Sequence, residues 1–536
     1  MRRQFRLTGL VAVAIVVGAM ILASCSTTPS SPTNSGTAAS SSKPYGSLTI
    51  GITFESGNFD PQIGSGNSSS ALAAAVFDSL GEVDPNGKVR PGLAERWEIS
   101  SDGKTHTFYI RKGVKFHNGD DLTGSDVKFS IERMLDPKAS HQDAGVLRGQ
   151  IDSVEMKDDY TIVLRLKQPQ FELLKGFGDD SGGSAVVPKK YIEEKGVDYF
   201  RSHPVGSGPW KVLNYTTMTR VDLEAVEDHW RTVPKFKNIT LLHILEEATK
   251  VAMLKTGELD AAIVAPDSVP QLKAAGLRIV SHDGSSQSFM WPFWDMQNPQ
   301  KYALSDVKVR KALSLAINRK ELADKVYGGY AEPSALMYAP ATAFFFDPNV
   351  LKPDPFDPEQ VNKLLAEAGY PSGFSTAIQD VGGGGVLSTY NQAIAGYWRK
   401  VGVKTDIIPI DYAVATKKWN PISPDIFNTV FSYFSSSPVF NFEKMYTPYH
   451  SKKGAPKNIN NPRLDELIDK VPLTADPVEK KRLALEAAVL AKNEYTTLSV
   501  LDLRTVFAID SKIGELIPIK GMAGLAPALE TITHAK

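Results

Sequence analysis

The single cysteine of this chain carries its most distinctive chemistry. Cys25 ends the tetrapeptide Leu22-Ala23-Ser24-Cys25, which follows three arginines and an uncharged run from Leu7 to Ala23. This order is typical of bacterial lipoprotein signal peptides, which are cleaved before a cysteine whose thiolate carries diacylglycerol. The sequence therefore predicts a signal peptide over residues 1–24 and lipidation at Cys25. The alternative is an uncleaved anchor followed by an ordinary buried cysteine.

Groups that could catalyse a reaction are present but scattered. The chain contains no G-x-S-x-G elbow, no G-x-x-x-x-G-K-[ST] loop and no H-E-x-x-H motif. Its nine histidines include no pair four residues apart, the spacing that puts two ligands on one helix face. We therefore expect no catalytic residue, no metal and no cofactor. A tethered hydrolase with a site assembled from distant segments is the enzyme alternative.

The overall composition indicates a globular protein. Lys+Arg and Asp+Glu both number 60 in 536 residues, so the formal net charge is zero and nothing favours a nucleic-acid partner. At about 100–200 residues per domain, the length suggests about three domains. Residues 25–44 are rich in Ser, Thr, Pro and Gly and predict a tether with no core of its own. No later segment is long and apolar enough for a second membrane span.

Hydrophobic periodicity predicts an α/β protein. Alternation over Lys104–Arg111 and Tyr160–Lys167 indicates half-buried strands, and Asp-Gly and Asn-Gly pairs mark turns between strands. Asn318, Asp357 and Asp476 each precede an apolar pattern with helical spacing, so they are expected to be helix N-caps. Residues 80–205 are rich in strands, whereas residues 290–500 are rich in helices.

Several segments, in chain order, resemble the large family 5 extracytoplasmic solute-binding proteins of peptide- and nickel-type ABC importers. The most specific is Pro91-Gly-Leu-Ala-Glu-Arg-Trp-Glu-Ile-Ser-Ser-Asp-Gly-Lys-Thr-His-Thr-Phe-Tyr-Ile-Arg-Lys-Gly-Val-Lys-Phe-His-Asn-Gly119. The others are Leu122–Ser130, Val205–Lys211, Leu254–Ala261, Asp306–Arg319, Phe356–Gly373 and Asn461–Ile468. Together they cover about residues 45–500. We expect Trp97, Phe108, Ile110 and Phe116 of the most specific stretch to form core rather than to bind solute.

The resemblance implies a two-lobed α/β fold of the large, peptide-binding periplasmic-binding-protein type, with an extra α+β domain on lobe I. The chain would cross twice between the lobes. Lobe I is then expected at 45–287 plus 505–536, with the extra domain near 80–205, and lobe II at 288–504.

The resemblance also implies that loops facing the interlobe cleft bind the solute. The loop after the first strand offers Phe54, Glu55, Ser56 and Asn58, in which Glu55 either pairs a ligand cation or is an ordinary exposed acid. The crossing into lobe II offers Trp291, Trp294 and Asp295. Strand alternation places Trp291 on the same face as Phe293 and Trp294 on the opposite face, so one of these faces is expected to be core.

A third segment, Asp425–Glu443, offers Tyr433, Phe434, Ser435 and Ser436. Peptide-binding members of the family usually carry an aspartate there that salt-bridges the peptide's α-amino group, but Ile426–Phe442 contains no charged residue. A buried ammonium without a counter-charge costs several kcal/mol. The counter-charge therefore lies elsewhere or is not needed. Aromatic and hydroxyl groups also suit a sugar, a blocked peptide or a flat metal chelate.

The expected function is a lipid-anchored, monomeric solute-binding protein on the outer face of the cell membrane. It would capture a solute, with an oligopeptide ranked first, and deliver it to ABC permease subunits. The alternatives are a binding protein for another organic solute, such as a sugar or metal chelate, and a sensory lipoprotein that no longer transports.

Overall fold

The architecture is seen in a computed structural model that describes most of the chain after residue 42. The described ranges are 43–52, 58–63, 67–83, 89–141, 144–171, 173, 185–339, 343–381, 385–419, 422–435, 442–454, 458–516 and 529–536. Residues Ser42–Lys536 form one compact unit. Among the described residues, no helix has both the length and the hydropathy needed to cross a membrane.

The strands of the described residues are short, apart from two long ones, β12 and β17. Their bounds are β1 Ser47–Ile52, β2 Gly81–Val83, β3 Val89–Pro91, β4 Ala94–Ile99, β5 Thr105–Ile110, β6 Ile151–Asp158, β7 Thr161–Leu166, β8 Trp210–Thr216, β9 Arg220–Ala225, β10 Asn238–His243, β11 Ala261–Ile263, β12 Arg278–Phe293, β13 Ala331–Pro333, β14 Ser375–Val381, β15 Lys404–Ile410, β16 Thr429–Ser435 and β17 Leu498–Ile509.

The helices of the described residues are most frequent in the second half of the chain. They are α1 Asn67–Val76, α2 Gly124–Leu135, α3 Ala144–Gln150, α4 Lys189–Lys195, α5 Val197–Ser202, α6 Glu247–Thr256, α7 Val269–Ala274, α8 Val307–Leu315, α9 Arg319–Lys325, α10 Pro358–Glu367, α11 Gly385–Lys400, α12 Tyr412–Trp419, α13 Tyr446–Tyr449, α14 Pro462–Lys470 and α15 Pro477–Glu494. Three predicted N-caps are confirmed: the side chains of Asn318, Asp357 and Asp476 accept from the N–H groups of the third helical residues.

One large mixed sheet organises the molecule. Its strand order is β15-β14-β16-β12-β17-β11-β1-β10-β9-β8, and β13 also pairs with β17. The first half of this sheet is β8, β9, β10, β1 and β11; the second half is β15, β14 and β16. Only the two long strands, β12 and β17, belong to both. The start of β12 pairs with the end of β17, and the end of β12 pairs with the start of β17 and with β16.

The two long strands share an irregularity where the halves of the sheet meet. Their register shifts between the pairs His282–Thr505 and Ser286–Leu503, so three residues of β12 oppose one residue of β17. A bulge of this kind bends a strand and interrupts the hydrogen-bond ladder. The pairing between β12 and β17 is therefore interrupted at the point where both strands pass from one half of the sheet to the other.

A separate antiparallel sheet, with the order β4-β5-β7-β6, lies outside the large one. The predicted alternation is confirmed, because His106, Phe108 and Ile110 of β5 are all buried. Phe108, Ile110 and Phe116 belong to one core with α2 and α3, and Trp97 packs against that core. The prediction that these four residues are architectural is therefore confirmed.

The second half of the large sheet is covered on both faces. One core contains Met290, Trp294, Val430 and Ile378 together with residues of α8 and α11. The opposite core contains Phe289, Trp291, Phe293 and Phe431 together with residues of α14 and α15. Trp291 and Phe293 therefore share one face and Trp294 lies on the other, as the alternation predicts. Both faces continue along β16 as far as its last residues, Tyr433 on the side of Trp291 and Phe434 on the side of Trp294.

Candidate functional site

The carboxyl ends of two sets of parallel strands point toward each other at the level of the bulge. β14, β15 and β16 are mutually parallel, as are β1, β10 and β11. β12 is antiparallel to β16 and to β17, and β17 is antiparallel to β11. The two parallel sets therefore run in opposite directions, each toward the other half of the sheet. In open α/β sheets, ligands bind outside the carboxyl ends of such strands.

Strand pairing fixes which residues lie at this level. Ser435, the last residue of β16, pairs with Gln287, the second residue after the bulge of β12. On the other side, Ile263 ends β11 opposite Phe507 of β17, two residues beyond Thr505 at the bulge. The candidate site is therefore the region between these strand ends, with the bulged segments of β12 and β17 connecting its two sides.

A hydrogen-bonded cluster joins the two crossing strands at this level. Gln287 Nε2 donates to Asp502 Oδ1 over 2.8 Å and to the Leu336 carbonyl over 3.3 Å, while Gln287 Oε1 accepts from the Tyr338 N–H over 2.8 Å. Burial raises the pKa of Asp502 to about 6, and hydrogen bonds from Gln287 and Ser334 oppose that shift only in part. The crossing strands therefore hold a carboxyl group that is costly to ionise.

Aromatic side chains occupy the sheet face that carries Trp291. Trp291 is 3% exposed, and its indole nitrogen has no hydrogen-bond partner among the described residues. Its ring lies 5.8 Å from that of Trp419, which lies 6.3 Å from that of Tyr433. Tyr433 is half-buried, and the centre of its ring lies 5.8 Å from that of Phe289. This aromatic group extends from the core to two residues before the end of β16.

The opposite sheet face carries a polar group near the same strand ends. Asp380 pairs in register with Ser432, and both continue the face that Ile378 and Val430 line in the core. Asn391 and Tyr390 lie on α11, which packs against β14. Each of these four side chains has at least one buried polar atom without a hydrogen-bond partner in the described part of the chain. We call Asp380, Asn391, Ser432 and Tyr390 the polar cluster.

The expected site residues fall into several environments. Tyr433 and Phe434 are half-buried near the end of β16, and Phe434 lies 5.7 Å from the ring of Tyr390. Trp294 is 4% exposed in the core; its indole nitrogen donates to Met296 Sδ over 3.1 Å, and the guanidinium of Arg310 stacks on its ring at 4.2 Å. The structure therefore brings Tyr433 and Phe434 to the strand ends and packs Trp294 away from them.

The remaining expected residues have local roles or lie outside the described residues. Asp295 is half-buried and accepts from the Gln297 N–H and the Asn298 side chain, so it organises its own turn. Asn58 Oδ1 accepts from the Asp60 N–H over 2.9 Å. Ser435 is described only through its backbone. Phe54, Glu55, Ser56, Ser436 and Cys25 lie outside the described residues, and the first three come directly after β1, which ends at Ile52.

Sequence reasoning did not single out Gln287, Asp502 or the polar cluster. A signal existed for Asp380, since it lies between the apolar Ile378 and Val381 near the end of its strand, and an acid is rarely buried there without a partner. No comparable signal marks Gln287 and Asp502, because their pairing depends on a register between strands separated by more than two hundred residues.

A surface groove with a volume of about 640 Å³ lies elsewhere. It is lined by Leu277–Val280 at the start of β12, together with Lys273 and Glu515. This end of β12 is away from the bulge, and no carboxyl end of a parallel strand reaches it. The strand ends, rather than this groove, therefore define the candidate site.

Solved structures with the same fold include two peptide complexes. The DppA binding protein of Helicobacter pylori, with the peptide STSA, superposes with a TM-score of 0.77 at 22% identity, covering 92% of this chain and 99% of that one. AppA of Bacillus subtilis, with a nonapeptide, gives 0.75 at 20% identity, covering 92% and 100%. The chain thus has the two-lobed α/β fold of the large, peptide-binding type, and the expected fold class is confirmed.

Sequence comparison gives the family. Residues 88–453 match the bacterial extracellular solute-binding proteins, family 5. The glutathione-binding protein GsiB of Salmonella choleraesuis is 29% identical over 453 residues, which cover 82% of this chain and 85% of that protein. The chain belongs to the family 5 extracellular solute-binding proteins, and the resemblance drawn from its motifs is confirmed.

Proposed function

We propose that this protein is a lipid-anchored receptor that captures an oligopeptide between its two lobes and delivers it to the permease of an ABC importer. The observation that carries the proposal is the opposition of two sets of parallel strand ends across the bulged segments of β12 and β17. A solute between them contacts both sets, so its binding energy favours a closed arrangement of the lobes.

In this proposal, lobe I comprises residues 45–287 and 505–536, with an extra domain near 80–205, and lobe II comprises residues 288–504. The boundary is supported by the shared register shift of the two crossing strands, which falls at residues 283–285 and 504. This bulge of β12 interrupts the pairing of both crossings at one level, and we place the hinge there because a bulge bends a strand and disrupts its hydrogen-bond ladder locally.

An oligopeptide is favoured as the solute by family membership and by aromatic side chains near the end of β16. Tyr433 and Phe434 are half-buried, so each keeps part of its ring available for contact. The related GsiB binds glutathione, a peptide derivative, and the DppA and AppA structures hold peptides. A sugar or a metal chelate is the second candidate, and a sensory receptor without transport is the third.

The solute is tested directly by native mass spectrometry of freshly purified residues 26–536, followed by fragmentation of whatever is released. We expect one bound species per monomer, with a ladder of peptide masses. A single sugar or chelate mass would replace the peptide assignment while retaining the receptor. A protein that is free of solute and shows no rise in its thermal midpoint with any peptide, sugar or chelate pool would contradict the receptor function.

Closure is tested by the distance between two spin labels. Because the chain has one cysteine, residues 26–536 contain none, and labels attach only where a cysteine is introduced. Thr217→Cys places an exposed label directly after β8, in the first half, and Lys363→Cys places one on helix α10, in the second half. We expect the solute to shorten this distance, whereas the control pair Lys320→Cys and Lys363→Cys, within the second half, stays unchanged. Equal distances with and without bound solute would contradict closure.

The anchor is tested by labelling cells with a radioactive fatty acid and fractionating them. Wild-type protein should carry the label and sediment with membranes, and Cys25→Ala should lose both properties. Sedimentation of an unlabelled wild-type chain would instead support an uncleaved N-terminal anchor.

A further inference from the structure

The polar cluster is a set of buried side chains, each with at least one polar atom that has no hydrogen-bond partner in the described part of the chain. Asp380 is 2% exposed, and Asn391, Ser432 and Tyr390 are 0% exposed. Asp380 Oδ1, both polar atoms of the Asn391 amide, Ser432 Oγ and Tyr390 Oη make no hydrogen bond within the described residues. Each such group costs about 1–3 kcal/mol relative to a satisfied one. A concentration of them in one place is unusual for a protein core and indicates a recognition site.

The charge of Asp380 is also uncompensated. Burial raises the pKa of its carboxyl group, the nearby Asn391 amide opposes that shift, and no cation of the described chain contributes. Buried carboxylates are normally paired with a cation or with several donors. Here the missing partner has to come from outside the described residues.

The position of the cluster makes it reachable from the strand ends. Asp380 comes one residue before Val381, the end of β14, and Ser432 comes three residues before the end of β16. The sequence after Val381 is four glycines, Gly382–Gly385, which have no side chains to donate to the carboxylate. The ring of Tyr390 lies 5.7 Å from that of Phe434, so the cluster adjoins one of the two aromatic residues expected to bind the solute.

We propose that the polar cluster binds a primary ammonium group of the solute, with Asp380 as its counter-charge. This inference rests on the proposed function and adds a specificity determinant to it. A primary ammonium has three N–H donors, and Asp380, Asn391 and Ser432 each supply an acceptor oxygen on the same side of the sheet. The cluster would supply the negative charge that Ile426–Phe442 lacks.

The test uses residues 26–536 and three tripeptide libraries composed otherwise of Ala, Ser, Leu and Phe. One library has a free N-terminus, the second is N-acetylated, and the third is N-acetylated but contains one lysine. Asp380→Asn removes the charge with little change in shape. Asp406→Asn makes the same change at an exposed carboxylate on β15, next to β14, and is the matched control. Dissociation constants are compared by native mass spectrometry.

We expect wild-type protein and Asp406→Asn to bind free-amine peptides at least tenfold more tightly than N-acetylated ones. Asp380→Asn should lose that preference. Recovery of tight binding in the lysine library, lost again in Asp380→Asn, would show that the ammonium belongs to a side chain rather than to the terminus, and would still support the site.

Other results overturn the inference in distinguishable ways. Equal wild-type affinity for free and acetylated peptides removes the ammonium site but leaves the receptor function intact. A preference for free amines that survives Asp380→Asn places the counter-charge elsewhere. Binding of no library member contradicts both this site and the oligopeptide assignment, whereas the co-purified species still tests solute binding as such.

The thermal stability of the Asp380→Asn variant gives a second test. A binding role for Asp380 predicts a higher midpoint in the variant, whereas a purely structural role predicts a lower one. Without solute at pH 7.5, Asp380→Asn should raise the thermal midpoint, since it removes a buried charge that the fold disfavours. At pH 4 the gain should shrink. A variant that binds less tightly but folds more stably is typical of a binding residue. A lowered midpoint at pH 7.5 would identify Asp380 as structural and overturn the assignment.

Discussion

Gln287 and Asp502 stand opposite each other on the two crossing strands, and the Gln287 amide donates a 2.8 Å hydrogen bond to the Asp502 carboxylate. The same amide binds the backbone after β13 through Leu336 and Tyr338. The Gln287 side chain therefore connects β12 to β17 and to the segment that follows β13, next to the bulge. A lobe movement pivoting there must either preserve this contact or break it.

Replacing Asp502 by Asn should stabilise the protein at neutral pH. Burial and the like charge of Glu332 raise the pKa of Asp502 to about 6, so the folded state disfavours its ionised form. Stability associated with this group is full below its unfolded pKa near 4 and is lost as the pH rises through 6. Asn keeps the acceptor for Gln287 without the charge. We expect Asp502→Asn to gain about 2 kcal/mol above pH 7.

The measurement is urea unfolding of wild type and Asp502→Asn at pH 4, 6 and 8. The difference between them should be near zero at pH 4 and reach its full value by pH 8. An unfolding free-energy difference that stays constant from pH 4 to pH 8 would mean that the Asp502 carboxyl of the folded protein does not titrate in this range. Asp406→Asn, at an exposed acid, is the control and should change stability little at any pH.

Arg231 binds three acids, of which two lie close together in the first half of the chain and the third near its end. Its guanidinium contacts Glu82, Glu530 at 2.7 Å and Asp78 at 3.3 Å. The pKa of Asp78 is lowered to about 2 despite burial, because His229 and Arg231 favour its charged form, whereas burial raises the pKa of Glu82 to about 7. Removing one partner from a buried ionic network leaves the others uncompensated.

We therefore expect Arg231→Met to lose about 3 kcal/mol at pH 7.5, measured by chemical unfolding. Asp78 contributes stability above its unfolded pKa near 4, and this contribution is lost as the pH falls toward 2. Glu82 has the opposite sign, because its folded pKa is raised, and it is neutral by pH 4.5. The loss should therefore be smaller at pH 4.5 than at pH 7.5. Arg482→Met, at an exposed pair, is the control, and an equal loss in both variants would refute this role of the network.

Trp294, which the sequence placed among the possible solute contacts, forms a packed pair with Arg310. Arg310 is buried and donates to the backbone carbonyls of Leu304, Tyr495 and Glu494 at 2.7–3.0 Å, so the pKa lowered by its burial, to about 10, still leaves it charged. Trp294→Ala removes a buried ring and the surface on which Arg310 stacks. We expect a loss of about 3–5 kcal/mol in the solute-free protein.

The check is thermal and urea unfolding before any solute is added, with Val350→Ala as an exposed control. A Trp294→Ala variant as stable as wild type would show that the core does not need the ring. Trp294 would then again be a candidate for solute contact. Trp294→Phe should recover part of the loss, because it keeps an aromatic surface under the guanidinium.

The parts of the fold that the sequence predicts are those determined over a few residues. The caps at Asn318, Asp357 and Asp476 and the alternation around Phe108 depend on neighbours within one turn or one strand. The motif resemblance adds the two-lobed architecture. The polar cluster and the Gln287–Asp502 contact need the register of strands far apart in the chain, which local patterns do not encode.

The aromatic residues near the end of β16 give the most direct test of the candidate site. Tyr433 and Phe434 point to opposite faces of the strand; Tyr433 packs with Phe289 and Trp419, and Phe434 packs with Tyr390. Both are half-buried, so truncation should cost less stability than at Trp294 while removing contact area from the solute. We expect Tyr433→Ala and Phe434→Ala each to weaken solute binding at least tenfold, or about 1.4 kcal/mol or more.

The measurement is titration calorimetry with the species identified by native mass spectrometry, after a melting curve shows that each variant is folded. Phe356→Ala, which truncates an exposed aromatic side chain away from the strand ends, is the control and should bind like wild type. Because the two rings lie on different faces, loss of affinity in only one variant would assign the solute to that face: the Tyr433 side favours the aromatic group around Trp291, and the Phe434 side favours the polar cluster. Unchanged affinity in both variants would remove the end of β16 from the site.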